Sequence, residues 1–162
     1  MSEHIVTELA SGVLRIEMRR PEKKNALTGP MYAAMADALE RAAREDAVRV
    51  VLIHGQPEVF TAGNDLADFL NGAADDPDRP VFRFLRNIAA APKPLVAAVS
   101  GNAVGVGTTM LLHCDLVYAG ESARFQLPFV NLALCPEAAS SLLLPRLVGH
   151  QRAAELLFFG EP

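Results

Sequence analysis

The chain has 162 residues, of which 51% are hydrophobic and 21% are charged, and its formal net charge is −4. This length favours a single domain over residues 1–162, large enough to bury a core of its own. Nucleic acid is disfavoured as the main partner, because phosphate binding requires clustered Lys and Arg and the sequence has no dense basic run. No apolar stretch reaches the length of about 18 residues that predicts a membrane-spanning helix.

The cysteines and the N-terminal residues indicate the setting in which the protein works. Cys114 and Cys135 cannot make a disulfide framework, and both stand among apolar residues, so we expect two buried thiols. The four histidines are scattered and no Cys-x-x-Cys pair is present, which predicts no metal site. The first ten residues lack the basic and apolar regions of a signal peptide. We therefore expect a cytoplasmic protein.

The first third of the chain carries strand and helix patterns in turn. Ile5–Glu8 and Val13–Met18 predict a β-hairpin, since the second run alternates as a half-buried strand does. Thr28 suits the N-cap of a helix whose apolar residues recur at helical spacing to about Arg44. The apolar run Val48–Ile53 then predicts a buried parallel strand.

The first of two glycine-containing turns follows this strand. Its sequence, FTAGNDL at Phe60–Leu66, connects the strand to a short predicted helix, with Asp65 as a turn or cap residue. A turn of small residues leaves backbone N–H groups that can hold an anion or a developing oxyanion. Taken alone, the motif is equally compatible with an ordinary connector between a strand and a helix.

A second unit of the same kind lies further along the chain. Pro94–Val99 predicts another buried strand, which runs into the small-residue turn SGNAVGVG at Ser100–Gly107 and then a helical segment at Thr108–His113. Two such turns at neighbouring strand ends can present two N–H groups to one carbonyl oxygen. The pair therefore carries more functional meaning than either turn alone.

The remaining segments complete an α/β pattern. An acidic stretch, Asn71–Asp78, predicts a mobile loop at the mouth of a pocket. Alternation of strands and helices predicts a mostly parallel sheet with right-handed crossovers. The other predicted elements are a helix from Val81 to about Ala91, strands at Leu116–Ala119 and Arg124–Gln126, an irregular segment at Phe129–Cys135, and helices at Ala138–Leu144 and His150–Phe158 separated by Pro145 and Gly149.

The two turns, in this order and at this separation, carry a resemblance to a known family. FTAGNDLADF followed by KPLVAAVSGNAVGVGTTMLLHCDLVYAG resembles the crotonase superfamily, also called the enoyl-CoA hydratase/isomerase family, from about Ile5 to the last residue. The resemblance implies a core of ββα repeats surrounded by helices. It also implies an acyl-CoA substrate, with coenzyme A entering as part of the substrate and no separate cofactor, and a homo-oligomer, either a trimer or a dimer of trimers. Family domains normally continue well beyond the position of Pro162, so we expect the N-terminal part of a longer chain.

The resemblance also implies which residues form the site. By motif position, the backbone N–H groups of Asn64 and Val106 would hold the thioester oxygen of the substrate. The charged loop around Arg19–Lys24 is compatible with a solvated turn, whereas the resemblance makes it the first loop that contacts CoA. The residues implied to bind the substrate or CoA are Lys23, Lys24, Ala26, Leu27, Ala62, Asp65, Leu66 and Gly105.

The acid–base residues decide which reaction of the family is expected. The two positions where hydratases carry glutamates hold Thr109 and Phe129 in this chain, which disfavours two-glutamate hydration. Glu137 could be an ordinary residue at a helix N-terminus. Its segment, PEAASS, nevertheless resembles that of peroxisomal-type Δ3,Δ2-enoyl-CoA isomerases, which implies Glu137 as the catalytic base. The alternatives are another reaction of the family, such as hydration, and an acyl-CoA-binding or oligomer-forming relative without turnover.

Two further expectations concern residues outside this site. Asp115, His54 and His113 adjoin apolar segments and are expected to have structural roles. Phe158 and Phe159 end an apolar stretch and point about 100° apart on a helix, so one domain surface would not bury both. We expect at least one of the two rings to pack against a neighbouring subunit or to lie exposed.

Overall fold

The computed structural model describes residues 2–71 and 79–162. The predicted acidic loop, Asn71–Asp78, lies outside the described residues except for Asn71. Within the described ranges, the chain forms two β-sheets with helices packed around them. No helix in these ranges is long and apolar enough to cross a membrane.

The strands form one sheet of five and one of three. The larger sheet has the order β1-β2-β3-β5-β7, with β1 and β2 antiparallel and the other neighbours parallel, and the smaller sheet has the all-parallel order β4-β6-β8. The predicted, mostly parallel arrangement is therefore confirmed. The strands are β1 (Ile5–Ala10), β2 (Val13–Met18), β3 (Val50–His54), β4 (Val59–Thr61), β5 (Leu95–Val99), β6 (Asn102–Val104), β7 (Leu116–Ala119) and β8 (Arg124–Gln126).

In the part of the chain that the structure describes, six α-helices surround the sheets, and α1 with α3 make the main helical layer. The helices are α1 (Gly29–Arg44), α2 (Leu66–Asn71), α3 (Pro80–Ala89), α4 (Val106–Thr109), α5 (Ser140–Val148) and α6 (His150–Phe159). The predicted stripe of α1 is buried, with Met31 and Met35 wholly inside the core. In β2, Leu14, Ile16 and Met18 are buried, which confirms the alternation predicted for this strand.

Three predictions about the strands and helices were wrong or incomplete. Strands β4 and β6 were not anticipated, because each has only three residues beside a predicted turn and shows no periodicity. Helix α5 continues through Pro145, where the sequence predicted a break. The carbonyl that loses its partner there belongs to Ser141, an exposed residue in the first turn, where water can replace the missing N–H.

The exposure of particular side chains gives a mixed result. Cys114 is half-buried, but Cys135 is exposed, which corrects the expectation of two buried thiols. Phe158 and Phe159 are 72% and 65% exposed, as expected for rings at the end of an apolar stretch. Asp115 has the structural role predicted for it, since its carboxylate accepts a hydrogen bond from the Leu95 N–H at 2.8 Å.

Candidate active site

The two glycine-containing turns leave the same edge of the smaller sheet. Strands β4 and β6 run parallel, and Thr61 pairs with Ala103. Asn64 lies three residues beyond Thr61, and Val106 lies three residues beyond Ala103. The two residues predicted to donate N–H groups are therefore equally far along the chain from a pair of neighbouring strand residues, and the fold places their loops side by side.

In the first loop, Leu27 determines the direction of the Asn64 backbone. The Leu27 N–H donates to the Gly63 carbonyl at 2.8 Å, and the Asp65 N–H donates to the Leu27 carbonyl at 2.9 Å. Leu27 and Asn64 thus form a parallel bridge. In a parallel bridge, the residue whose two chain neighbours make the hydrogen bonds directs its own N–H away from the partner. The Asn64 N–H therefore points away from Leu27. Gly63 also allows this loop to approach Val104 closely, because it has a φ of +88° and a Cβ there would lie 2.8 Å from the Val104 carbonyl oxygen.

In the second loop, Gly105 determines the direction of the Val106 backbone. Gly105 has a φ of 56° and a ψ of −117°, a conformation that favours glycine, and Val106 begins α4 directly after it. Val106 itself has an ordinary helical conformation, so valine fits this position without strain. Among the described residues, neither the Asn64 N–H nor the Val106 N–H has a hydrogen-bond acceptor.

Both loops line one cavity of about 700 Å³. Of the residues predicted for the site, those lining this cavity are Ala26, Ala62, Asn64, Asp65, Leu66, Gly105, Val106 and Glu137. The predicted residues outside its lining are Lys23, Lys24 and Leu27, and the Leu27 side chain belongs to the core. Much of the remaining wall is apolar, from Phe82 and Leu85 on α3 and from Phe129 and Leu134 on the irregular segment.

Glu137 is held in this cavity by the turn that precedes α5. Ala138 and Ala139 both adopt the left-handed conformation, with φ of 53°. The Ser140 N–H and hydroxyl donate to the Glu137 carbonyl at 3.0 and 2.6 Å. On the side chain, Oε1 accepts a hydrogen bond from the Thr109 hydroxyl at 3.0 Å. Burial raises the pKa of Glu137 above its ordinary value, and the hydrogen bond from Thr109 opposes part of this rise.

Neither position where hydratases carry glutamates places a carboxylate in the cavity. Thr109 is fully buried on α4 and uses its hydroxyl on Glu137. Phe129 is also buried and presents its ring to the cavity wall. The two carboxylates among the described residues that line the cavity are therefore Asp65 and Glu137.

Asp65 has a structural environment unlike that of Glu137. Its Oδ2 pairs with Arg20 at 2.8 Å, and its Oδ1 accepts the N–H groups of Ala67 and Asp68 at the start of α2. The hydrogen bond from Arg20, together with those from α2, lowers the pKa of Asp65. The predicted cap role is confirmed. Its partner Arg20, which also donates to the Ala26 carbonyl at 2.9 Å, was missed because it stands in a charged run that resembles a solvated turn.

The loop from Arg20 to Leu27 is an ordered part of the site and is not a free surface turn. Asn25 is fully buried, and its side-chain amide donates to the Phe60 carbonyl at 3.0 Å. In return, the Thr61 hydroxyl donates to the Asn25 carbonyl at 2.6 Å. The Ala62 N–H donates to the Lys24 carbonyl at 2.9 Å. These bonds fix the loop to β4 and to the turn that carries Asn64.

Tyr32 supports Asn64 from the side of α1 and was not predicted from the sequence. Its hydroxyl donates to Asn64 Oδ1, and its ring lies 5.6 Å from that of Phe84 between centroids. Burial raises the pKa of Tyr32 well above its ordinary value, and the carboxylates of Glu137 and Asp68 add to the rise. The hydroxyl is therefore a neutral donor. The sequence alone indicates only that Tyr32 is a core residue of α1.

Comparison with known proteins assigns this fold and cavity to a family. The sequence model of the enoyl-CoA hydratase/isomerase family matches residues 8–162. The chain belongs to this family, which is part of the crotonase superfamily, and the resemblance noted in the sequence is confirmed.

Individual relatives carry more than one reaction name. The chain is 37% identical to 1,2-epoxyphenylacetyl-CoA isomerase of Escherichia coli K12, covering 99% of this chain and 62% of the relative. It is also 37% identical to enoyl-CoA delta isomerase 2 of Rattus norvegicus, covering 99% of this chain and 42% of the relative. Among solved structures, OdaA of Pseudomonas aeruginosa is 54% identical with a TM-score of 0.94, covering 99% of this chain and 65% of that protein. The chain thus spans less than two thirds of each.

Proposed function

We propose that this chain carries the catalytic site of an enoyl-CoA isomerase that converts a 3-enoyl-CoA into the conjugated 2-enoyl-CoA. The observation that carries the proposal is the position of Glu137, whose carboxylate shares one cavity with the unpaired N–H groups of Asn64 and Val106. A reaction that only moves a proton needs one acid–base group and a stabilised oxyanion, and the cavity offers both.

In the first step, the carboxylate of Glu137 takes a proton from C2 of the substrate. The electron pair of the broken C–H bond moves into the thioester, and negative charge accumulates on the carbonyl oxygen. The N–H groups of Asn64 and Val106 donate to this oxygen. One such preorganised donor is worth roughly 10²–10³ in rate in a comparable enzyme.

In the second step, Glu137 returns the proton to C4. The electrons of the dienolate form the new C4–H bond and the C2=C3 double bond, and Glu137 is again a carboxylate. No water, metal or redox partner is consumed. One group serves as base and then as acid, which suits a carboxyl whose pKa burial raises towards the working pH.

Asp65 is poorly suited to the same task. It forms an ion pair with Arg20 and caps α2, so both of its oxygens already accept hydrogen bonds. Its lowered pKa makes it a weaker base than Glu137. We assign Asp65 a structural role in holding the Asn64 turn.

Binding of the substrate is assigned to two parts of the cavity. The apolar wall formed by Phe82, Leu85 and Phe129 suits the acyl chain. The loop through Lys23–Ala26 is assigned to CoA, since Ala26 lines the cavity and both lysines are exposed on the same loop. The names of two relatives, enoyl-CoA delta isomerase 2 and 1,2-epoxyphenylacetyl-CoA isomerase, support a reaction on a CoA thioester.

We also propose that the protein works as a homo-oligomer, a trimer or a dimer of trimers, in the cytoplasm. The exposed rings of Phe158 and Phe159 support self-association, because burying an aromatic side chain contributes roughly 1.5–3 kcal/mol. Sedimentation of the 162-residue chain across concentration tests the proposal. A strict monomer at every concentration would contradict it.

The reaction is tested by incubating the chain separately with a 3-enoyl-CoA and with a 2-enoyl-CoA. We expect the first to be converted into the conjugated thioester, followed by its absorbance, and the second to be hydrated much more slowly. Faster hydration than isomerisation would favour a hydratase. Tight binding of acyl-CoA with neither reaction would favour the non-catalytic relative.

A further inference from the structure

The hydroxyl of Thr109 lies between the carboxylate of the proposed base and the backbone carbonyl of a residue whose N–H is a proposed oxyanion donor. It is 3.0 Å from Oε1 of Glu137 and 3.4 Å from the carbonyl oxygen of Val106. Thr109 is fully buried, and its hydroxyl has a single proton, so it can donate to only one of these oxygens at a time. The shorter bond goes to the carboxylate, which is also the stronger acceptor when it is ionised.

We propose that Thr109 is a positioning residue, which holds Oε1 of Glu137 so that Oε2 alone takes the proton from C2 and returns it to C4. This inference rests on the proposed function. The hydrogen bond engages Oε1, whereas Oε2 has no hydrogen-bond donor among the described residues of a cavity that Glu137 lines. A single oxygen then serves both ends of the three-carbon unit without rotation of the side chain.

The Thr109 hydroxyl can change its hydrogen-bond acceptor as the substrate proton moves onto and off Glu137. While Glu137 is ionised, Thr109 donates to Oε1. Once Oε2 carries the substrate proton, Oε1 becomes a weaker acceptor, and the hydroxyl can turn to the Val106 carbonyl. The return of the proton to C4 restores the first arrangement. No atom leaves or enters the site, since only the direction of one O–H bond changes.

The surrounding structure explains why one hydrogen bond has this effect. The backbone of Glu137 is already fixed by Ser140, but its side chain has three rotatable bonds. Among the described residues, Thr109 is the partner that hydrogen-bonds the carboxylate. Removal of its hydroxyl would leave the carboxylate free to turn within the cavity, and a misplaced base loses rate steeply.

Other titratable groups near Glu137 must be separated from its own titration. Asp65, Arg79 and Cys135 line the same cavity, and Tyr32 interacts electrostatically with Glu137. His113 lies close through a 2.9 Å contact with the Ala138 carbonyl. Tyr32 is held neutral and Asp65 is held ionised by their surroundings. A background in which Glu137 is replaced by glutamine separates the rest, because a pH effect that arises from any other group would persist there.

The first test measures isomerase kinetics against pH for Thr109→Val and Thr109→Ser. Valine keeps the shape but removes the donor, so we expect kcat to fall about tenfold or more with little change in KM. The acid limb of kcat/KM should move to higher pH, because the ionised form of Glu137 loses its hydrogen bond. Serine keeps the donor and should retain the wild-type pH profile.

The second test does not require activity. The melting temperature of Thr109→Val is compared with that of the parent at pH 4 and pH 7, once with Glu137 present and once in a Glu137→Gln background. We expect the loss caused by valine to grow from pH 4 to pH 7 only when Glu137 is present. Thr108→Val is the matched control, because the Thr108 hydroxyl is also buried but donates to the Ala103 carbonyl.

The two tests distinguish failure of the inference from failure of the proposed function. An unshifted acid limb in Thr109→Val, or a stability loss that is equal at both pH values and in both backgrounds, would overturn the role of Thr109. An inactive wild-type protein would contradict the isomerase, whereas the melting temperatures would still show whether Thr109 holds the carboxylate.

Discussion

Two carboxylates line the same cavity and have opposite surroundings. Asp65 accepts hydrogen bonds from Arg20 and from the first turn of α2, and these lower its pKa. Glu137 is more deeply buried, has one hydroxyl donor, and has a raised pKa. Under the proposed function the two groups have different tasks, since the partners of each group decide whether it holds structure or can exchange a proton.

The largest effect is expected from neutralising each carboxylate in turn. Glu137→Gln should lower the turnover of 3-enoyl-CoA by about 10²-fold or more, because an amide cannot take the proton from C2. Asp65→Asn is the matched control, and it should stay within about tenfold of the wild type, since asparagine also caps helices well. Steady-state kinetics with both variants, with acyl-CoA binding measured by calorimetry, makes the comparison. Equal losses would assign catalysis to both groups, and unchanged turnover in Glu137→Gln would exclude Glu137.

The second prediction concerns the partner that distinguishes Asp65 from Glu137. Arg20→Met should lower the free energy of unfolding by about 2 kcal/mol, since it leaves a mostly buried carboxylate and the Ala26 carbonyl without a donor. Urea denaturation measures the loss.

Arg15→Met is the control for this measurement. Its ion pair with Glu8 lies on the surface, with side chains 49% and 62% exposed, so a change of at most about 0.5 kcal/mol is expected. A similar loss in both variants would show that the Arg20 pair is an ordinary surface contact.

The smallest effect is a difference in how the two carboxylates link stability to pH. The raised pKa of Glu137 means that its ionisation destabilises the fold, so Glu137→Gln should gain stability over the wild type as the pH rises from about 4 to 7. The lowered pKa of Asp65 has the opposite sign. Its contribution is present above about pH 4 and is lost below it, so the deficit of Asp65→Asn should shrink in acid.

Calorimetric melting temperatures between pH 2 and pH 8 would show both trends. Each kcal/mol corresponds to about 2–4 °C in a chain of this size. Slopes of the same sign for the two variants would contradict the assignment of opposite environments to Asp65 and Glu137.

Local patterns were sufficient to predict most of the fold. The stripe of α1, the alternation in β2 and the apolar runs of β3 and β5 depend on neighbouring residues, so the sequence carries them directly. Both small-residue turns were also predicted, but the short strands β4 and β6 that lead directly into them were not. Strands β4 and β6 are too short to show a period. Pro145 was expected to end a helix, but it lies inside α5.

The contacts that make the site were beyond the reach of local patterns. Arg20 and Asp65 are 45 residues apart, Tyr32 and Asn64 are 32 apart, and Thr109 and Glu137 are 28 apart. No local pattern in the sequence linked Arg20, Tyr32 or Thr109 to its partner. The motif positions led to Asn64, Val106 and Glu137, whereas the residues that hold them became visible only when the chain was folded.

The left-handed pair Ala138–Ala139 has a consequence for how this protein tolerates mutation. An alanine in that conformation costs roughly 1–2 kcal/mol relative to the right-handed one, and the whole stability of a typical domain is only about 5–15 kcal/mol. Glycine at either position would release this strain and leave a larger margin against damaging substitutions elsewhere. It would also loosen the backbone that directs Glu137. Under the proposed function, glycine at either position would therefore raise stability and lower turnover.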